Sequence, residues 1–474
     1  MKTADELLVI GRRDLPELVD YCVTLQEQLS ALAGQLAQNS RNSSKPPSSD
    51  GYQKPQPKSE RKKTGKKSGG QPGHKGHTLK PVEKPDHTVV HKTTLCPCGC
   101  GVDLSRRPVT RREKRQVFDL PPQKLCVTEH VMEFKLCPQS GNEVHAPWPE
   151  GVDAPVQYGM RFLGWLAYLC VQQLLPVERI GQMCEDLFGQ GISDATVQSA
   201  VNKTELSLAP FKIAAVNHIL QSDVAHADES GSRVSNKLHW LHVVSTKLVT
   251  WYGIHARRGR EAIASFGILR AYQGTLIHDC LPSYFDLSCN HGLCNGHILR
   301  ELTFVYEQLH QSWAGALHKL LLEMKQAVAE HKDRNTALSP LELSLWRRRY
   351  RAFLRKGRIA NPPTAPPSGH KKRGRKKQTK PQNLLDRLEK HEAWVLAFLR
   401  DFRIPFTNNL AEQDIRMIKV KQKVSGCFRT MEGAERFLTV RSYISTVRKN
   451  GLQIFPSIVA ALNGNPFMPP VTAN

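Results

Sequence analysis

Two stretches of this chain cannot bury a core, and they divide everything else. Gly51 to Lys80 carries nine basic residues against one acid, Glu60, for a net charge of +8. Arg355 to Lys380 carries ten basic residues and no acid. Together they supply 18 of the net +24 charges of the 474-residue chain. Both are rich in Pro, Gly and Ser, a composition that gives solvated linkers rather than packed elements. Like-charged blocks repel themselves unless a polyanion neutralises them, and counterions released from DNA or RNA reward that contact. Nucleic acid is the favoured partner.

Upstream of the first tract, Leu18, Cys22, Leu25, Leu29, Leu32 and Leu36 follow one another at spacings of 4, 3, 4, 3 and 4. That is an a/d seam, read either as a short coiled coil joining protomers or as one amphipathic helix packing on its own domain. Asn39 to Asp50, with Pro46 and Pro47, ends it. Downstream, Cys96, Cys98, Cys100, Cys126 and Cys137 fall within 42 residues, and such bunching reads as metal before disulfides. His91 to Pro149 reads as short strands around that cluster. A closed zinc site needs four ligands. Cys96, Cys98, Cys100 and Cys137 are the candidates, with His145 in reserve, because Ser140 stands where a second C-x-x-C knuckle needs its last thiol. Reduced, packed cysteines are the alternative. Between Pro176 and Thr204 two helical patterns flank Gly189-Gln-Gly191-Ile192, with Ser193 as N-cap of the second, which fits a helix-turn-helix or plain helix packing.

The apolar core begins near Ile219. Val224–Asp228, Leu238–Ser245 and Leu248–Ile254 read as strands, Glu261–Arg270 as a helix, and Gly274–Cys280 as a further strand. His297 to about Leu399 is mainly helical around the second basic tract, and a basic helical region runs from Asn409 to Leu462. The expectation is a mixed sheet with helical layers. Three acids stand at informative places: Asp228 and Asp279 at strand ends, and Glu412 on a later helix. Brought together, three carboxylates repel one another unless cations sit between them, and two Mg²⁺ ions would suit a phosphodiester displacement. Against this, Asp228-Glu229-Ser230-Gly231 reads equally as a polar turn, and Asn409 with Glu412 as a helix-capping pair or Glu412 as a partner of Arg416.

Several short stretches stand in order along the chain. They are Ser43-Ser-Lys-Pro-Pro-Ser-Ser-Asp50, Gly69-Gly-Gln-Pro-Gly-His-Lys-Gly-His77, the cysteine knuckle and Val156-Gln-Tyr-Gly159. Ala227-Asp-Glu-Ser230, Cys294-Asn-Gly-His297 with Arg300-Glu-Leu, Thr407-Asn-Asn-Leu-Ala-Glu412 and Lys423-Val-Ser-Gly-Cys-Phe-Arg429 follow. Taken in this order, they resemble the insertion sequence 66 family of bacterial DDE transposases. The resemblance implies a multidomain α+β chain whose RNase H-like catalytic domain is interrupted by a helical insertion. It implies Asp228, Asp279 and Glu412 as catalytic acids and ligands of two Mg²⁺ ions. It also implies the C-x-x-H element Cys294/His297, read here as a structural pair, with a zinc site shared with Cys289 and His291 as the other option. The sequence departs from the family pattern at Ser230 (usually Thr) and at Ser140 (usually Cys).

The expectation from the resemblance is an enzyme that cuts and joins DNA at the ends of an insertion element, acting on terminal repeats and target DNA as a homo-oligomer, with accessory proteins of the element as further candidate partners. A catalytically inactive DNA-binding relative and an RNase H-fold nuclease are the alternatives. Lys371, Lys372, Arg373 and Arg375 in the second tract, and Lys419, Lys421, Lys423 and Arg429 near the third acid, are the expected phosphate contacts. The expected organisation is a coiled coil (1–40), basic linker (41–85), cysteine-rich zinc-finger-like module (86–150), helix-turn-helix region (151–215), catalytic core (216–296 and 401–474) and helical insertion (297–400). No apolar run approaches the roughly 18 residues that span a bilayer; the longest is Phe162 to Val171. The acidic start, Met1 to Glu6, has no signal-peptide apolar region, so a cytoplasmic, nucleoid-associated protein is expected.

Overall fold

In the computed structural model the described residues are 15–43, 50, 73, 79–362 and 378–470. Most of the first basic tract, and Lys371, Lys372, Arg373 and Arg375 of the second, lie outside them. The chain divides into two units. One takes in Met1–Gln56, Met132–Asp186 and Gln190–Asn474; the other is Pro57–Val131 with Leu187–Gly189.

The larger unit is built on a five-stranded mixed sheet in the order β5-β4-β3-β6-β7. Its strands are β3 (Val224–Val234), β4 (Lys237–Ser245), β5 (Thr250–His255), β6 (Thr275–His278) and β7 (Asn290–Leu293); a separate small hairpin supplies β1 (Phe134–Leu136) and β2 (Glu143–His145). β3, β4 and β5 are antiparallel neighbours, whereas β6 and β7 run parallel to β3. The strand expected to stop at Asp228 continues for six more residues. Its turn is Ser235-Asn236, both with positive φ, the two-residue geometry whose twist matches antiparallel strands. The polar run Asp-Glu-Ser-Gly-Ser looked like a break because its partners are remote. β4 pairs all of it on one side, and Phe428 bridges Val234 on the other.

Glu261–Arg270, expected as one helix, is two: α6 (Arg260–Phe266) and α7 (Ile268–Ala271), broken where Gly267 takes φ 75°. They cover one face of the sheet, where Phe266 packs edge-on against His242 and Trp251. The other face carries α14 (Asn409–Ser425) and α15 (Met431–Lys449). α14 is held there by Asp414, which accepts from Ser245 Oγ (2.6 Å), Thr250 Oγ1 (3.0 Å) and Lys449 Nζ (2.9 Å). Around this sheet Ala225, Ala227, Leu276, Tyr443 and Ile444 form one continuous core.

Between β7 and α14 the chain makes a helical body with its own core of Leu302, Leu317, Leu321, Tyr350, Leu385 and Leu399. Its helices are α8 (Asn295–Leu309), α9 (Ser312–His331), α10 (Pro340–Ala360), α11 (Lys380–Lys390), α12 (Glu392–Val395) and α13 (Ala397–Arg400). Local sequence starts two of them: Ser339 with Glu342, and Thr379 with Gln382, each close a reciprocal capping box ahead of a Pro.

Before the sheet come α2 (Met160–Ala167), α3 (Val177–Phe188), α4 (Asp194–Ser207) and α5 (Ala209–Gln221). α3 and α4 are the expected helix pair, and Ser193 caps α4 by accepting from Thr196 N. Val197, Ala200, Val201 and Thr204 of α4 face the core, while Asp194, Ala195, Gln198, Ser199 and Lys203 face solvent. The N-terminal heptad forms α1 (Leu15–Leu36). Leu29, Leu32 and Leu36 of its seam are exposed, and Gly34 lies against the Phe304 ring. Arg41, just beyond, pairs with Glu307.

The smaller unit corrects the expectation of short strands. Of the region from His91 to Pro149, only the hairpin β1–β2 (in the larger unit) and the bridge Leu95↔Asp103 are β-structure. The rest has too few buried apolar residues to pair strands over a core.

Candidate active site

Pairing register, not sequence distance, brings the first two acids together. β3 and β6 pair in parallel through Val224↔Thr275, Ala225↔Leu276 and His226↔Ile277. Two residues further along each strand stand Asp228 and Asp279. Adjacent strands are about 4.8 Å apart, so the carboxyl groups are neighbours. Asp228 is mid-strand rather than at a strand end, because β6 stops while β3 runs on.

The third acid arrives on α14, which lies along β3. At its first turn Asn408, the N-cap, spends its side chain on the strand rather than on its own helix. Its Nδ2 donates to Ala227 O (2.8 Å), and its Oδ1 meets His226 Nδ1 (2.9 Å). His226 and Asp228 share a face of the strand. One helical turn on from Asn408, Glu412 is near enough for its charge to act on Asp228. Further along, Lys419 Nζ donates to Gly231 O (2.5 Å). The capping alternative for Glu412 fails, since Asn408 rather than Asn409 is the N-cap and makes no side-chain cap bond. Its carboxylate turns to Cys294 and His297 instead of Arg416.

Burial, followed by the fields of Glu229, Asp279 and Glu412, drives the Asp228 carboxyl well above the usual carboxylate range. Its Oδ1 accepts the N–H of Glu229 (2.9 Å). Such a cluster of hard oxygen donors with excess negative charge fits Mg²⁺. Glu229 points to the opposite face and is paired there. It accepts from Arg258 Nη2 (2.6 Å) and Nε (3.0 Å) and from Tyr284 OH (2.7 Å).

Cys294 and His297 sit at the start of α8, directly behind Glu412. Cys294 Sγ lies 3.8 Å from Glu412 Oε1 and accepts the backbone N–H of Asn408 (3.2 Å). His297 Nδ1 is 3.9 Å from the same carboxylate oxygen. The option of a site shared with Cys289 and His291 is not assembled: His291 bonds His278 Nε2 (3.0 Å) and Leu287 O (3.2 Å).

The thiols Cys96, Cys98 and Cys100 come within 4.8 Å of one another. Gly99 and Gly101 allow this by adopting positive φ. The hydrogen bond from Cys96 lowers the Cys98 thiol to about 7, which favours the metal-binding thiolate. Cys137 belongs to the other unit, in the turn between β1 and β2, where its hydrogen bond with Ser140 lowers its pKa. His145 Nδ1 is bonded to Ala146 O (2.7 Å).

The four basic candidates near α14 separate into two kinds. Lys419 is tied to Gly231, and Lys421 lies over the Phe428 ring (3.9 Å) while bonding Gly426 O (3.4 Å); burial lowers both ammonium groups. Lys423 and Arg429 are exposed. Sequence reasoning missed Asn408, the Glu229–Arg258–Tyr284 group and Arg387, which pairs with Glu301 (2.5 Å) and is held charged also by Asp279. Only the Asp-Glu dipeptide, whose two acids must face opposite sides of a strand, hinted at any of these.

The described residues thus form a mixed α/β domain with Asp228 and Asp279 at the junction of its antiparallel and parallel strands. Residues 155–436 match the model of the Transposase IS66 family, and the chain belongs to that family. A second model, a family of unknown function (DUF6444), matches residues 12–80. No curated protein matches the chain.

Proposed function

We propose that this transposase cuts DNA at the ends of its insertion element and joins the freed 3′ ends to target DNA, using Asp228, Asp279 and Glu412 in an RNase H-like domain. One observation carries the reading: continuing the β3–β6 register sets Asp228 level with Asp279, and the charges of both Asp279 and Glu412 act on Asp228. Asp228 and Asp279 would hold Mg²⁺ throughout, and Glu412 would complete the shell of a second ion. When bound, a Mg²⁺ pair stabilises the attacking and leaving oxygens of an in-line phosphodiester displacement.

The chain's own groups do the positioning. Asn408 locks α14 to β3, Cys294 accepts the N–H at the head of that helix, and Arg258 with Tyr284 keeps Glu229 from adding its charge freely to the cluster. Lys423 and Arg429, exposed near and beyond the far end of α14, would neutralise phosphates of the bound DNA. The proposed organisation assigns 216–296 and 401–474 to the catalytic domain and 297–400 to the insertion. In the same reading 41–85, 86–150 and 151–215 hold element ends, and α1 pairs protomers through Leu29, Leu32 and Leu36.

The test is incubation with the element's own end DNA and Mg²⁺, scoring nicking and joining separately. Asp228→Ala, Asp279→Ala and Glu412→Ala should each lower both by about a thousandfold or more, equivalent to about 4 kcal/mol of barrier, with end binding retained. A Glu412→Ala protein that nicks normally would remove that residue from the site.

A further inference from the structure

The mechanism above uses Glu412 but leaves unexplained what faces it. Cys294 and His297 present a sulfur and an imidazole nitrogen to one carboxylate oxygen, at 3.8 and 3.9 Å. All three donor atoms lie within 4.8 Å of one another. A tetrahedral ion with about 2.3 Å bonds to sulfur and about 2.0–2.2 Å bonds to nitrogen and oxygen needs donors roughly 3.3–3.6 Å apart. The two spacings to the Glu412 oxygen, 3.8 and 3.9 Å, exceed that by about half an ångström or less, and the third is no more than 4.8 Å.

The His297 Nδ1 atom is buried and has no hydrogen-bond partner. At 3.9 Å it does not hydrogen-bond Glu412. A buried ring nitrogen without a partner is costly in a site that has no use for it. Cys294 is also built as a ligand would be. It is buried, its own N–H is donated to His278 O (2.9 Å), and its sulfur receives the Asn408 N–H (3.2 Å). Outer partners of this kind fix a metal ligand's orientation.

We propose that Cys294, His297 and Glu412 form a site for one transition-metal ion, Zn²⁺ by preference, and that filling it withdraws Glu412 from its place beside Asp228. The donor set decides the ion: thiolate and imidazole select Zn²⁺, whereas Mg²⁺ takes hard oxygens. On binding, the Cys294 S–H bond breaks and its proton leaves to solvent, His297 binds as the neutral imidazole, and Glu412 binds as the carboxylate. The two negative ligands balance the 2+ charge, and a fourth position stays open. The inhibitory half of this inference rests on Glu412 being a catalytic acid; the metal site does not.

The experiment is a Co²⁺ titration of the full chain followed by absorbance. The wild-type protein should show one more tetrahedral, sulfur-ligated equivalent than His297→Ala, and Zn²⁺ should bleach it. Cys294→Ser should lose the same equivalent. His297→Ala is the primary variant because Cys294 also anchors Asn408, and thermal unfolding checks that each variant is folded. To separate this site from Cys96, Cys98 and Cys100, the comparison is repeated in a Cys98→Ser background, where the difference of one equivalent should persist. Equal Co²⁺ binding by folded wild-type and His297→Ala proteins would overturn the site. In the nicking assay at millimolar Mg²⁺, micromolar Zn²⁺ should inhibit, and His297→Ala should require at least tenfold more. Normal nicking by Asp228→Ala alongside an intact His297-dependent cobalt signal would instead sink the catalytic reading and leave the site standing.

Discussion

The sheet and the cysteine-rich unit hold their chemical groups in opposite ways. Around the sheet, Ala225, Ala227, Leu276 and Ile277 are fully buried, so Asp228 and Asp279 are placed by the packing of the strands that carry them. In the smaller unit Val89, Val117, Leu120 and Val127 are 75–90% exposed. Three thiols converge there on little more than two backbone hydrogen bonds, Cys96 N to Val102 O and Leu104 N to Thr94 O. Preorganisation at the acids comes from apolar burial. At the thiols it must come from something else, and a bound ion is the cheapest candidate chemically.

That contrast gives the largest effect. Zinc held by Cys96, Cys98 and Cys100 should account for one equivalent per chain that Cys98→Ser loses, in protein purified without added metal. Chelation should leave unfolding of the larger unit unchanged and expose the segment 79–131 to protease many times faster, because structural zinc supplies folding energy directly. Less than about a tenth of an equivalent attributable to Cys98 would show that the trio is only a turn.

Within the larger unit, Asn408 links the helix to the strand and can be broken alone. Asn408→Ala removes a donor to Ala227 O and the partner of His226 Nδ1, both in buried surroundings, and should cost about 2–3 kcal/mol. Nicking should fall further than stability predicts, since Glu412 loses its register on β3. Urea unfolding and single-turnover nicking measure the two. A stability loss with no change in nicking would mean that Cys294 alone sets the helix.

How far this was readable from sequence follows from which contacts are local. β4, β5 and the capped helix α4 announce themselves by β-branched runs and by Ser193. β3 was cut short at Asp228 because Glu229-Ser-Gly-Ser reads as a turn until β4 and Phe428, the latter nearly 200 residues away, supply its partners. The three acids could be named, with the resemblance selecting them from 43. Their convergence could not be derived, because it depends on a parallel register. Cys294 and His297 looked like neighbours on one helix face, and nothing local shows that both turn toward Glu412. Lys419 and Lys421 looked like phosphate contacts and are half-buried instead, a difference set by the backs of β3 and Phe428.

The buried histidines put a sign on the pH dependence. Burial lowers His226 and His242 to about 4 and His278 to about 3, against about 6.5 in the unfolded chain. The unfolded state then binds more protons between those values, so their contribution is complete above about pH 6.5 and is lost as pH falls toward 4, at up to about 1.4 kcal/mol per pH unit for each. Asp228 acts oppositely. Its raised pKa makes the folded state the better proton binder above about pH 4, so it subtracts stability as pH rises through its folded value. Denaturant unfolding at pH 5 and pH 7 should show the wild-type chain weaker at pH 5, and Asp228→Asn should widen that gap by gaining stability at pH 7. An unchanged gap would mean that Asp228 is not held against burial and its acidic neighbours.

The smallest effect separates charge that is packed from charge that is free. Residues Lys371 to Lys377 hold six basic side chains in a stretch outside the described residues, between α10 and α11 of the helical insertion. Deleting them should leave thermal unfolding and low-salt nicking almost unchanged, because a Pro-, Gly- and Ser-rich basic stretch buries no core. Binding to element ends and to random DNA should weaken alike, and the dependence of log K on log salt should become shallower by up to about 0.9 for each phosphate no longer neutralised. Lys423→Ala, at an exposed position about three turns along α14 from Glu412, should change the slope by about one such step. Lys419→Ala should act mainly on stability, since its ammonium is already spent on Gly231 O. Three outcomes bear on the contrast. A slope unchanged by the deletion would make the tract a spacer. A Lys419 effect on the slope equal to that of Lys423 would mean that α14 shifts to release it on DNA. Loss of discrimination between element ends and random DNA would turn the tract into a specificity element, since contacts to phosphate alone position without reading sequence.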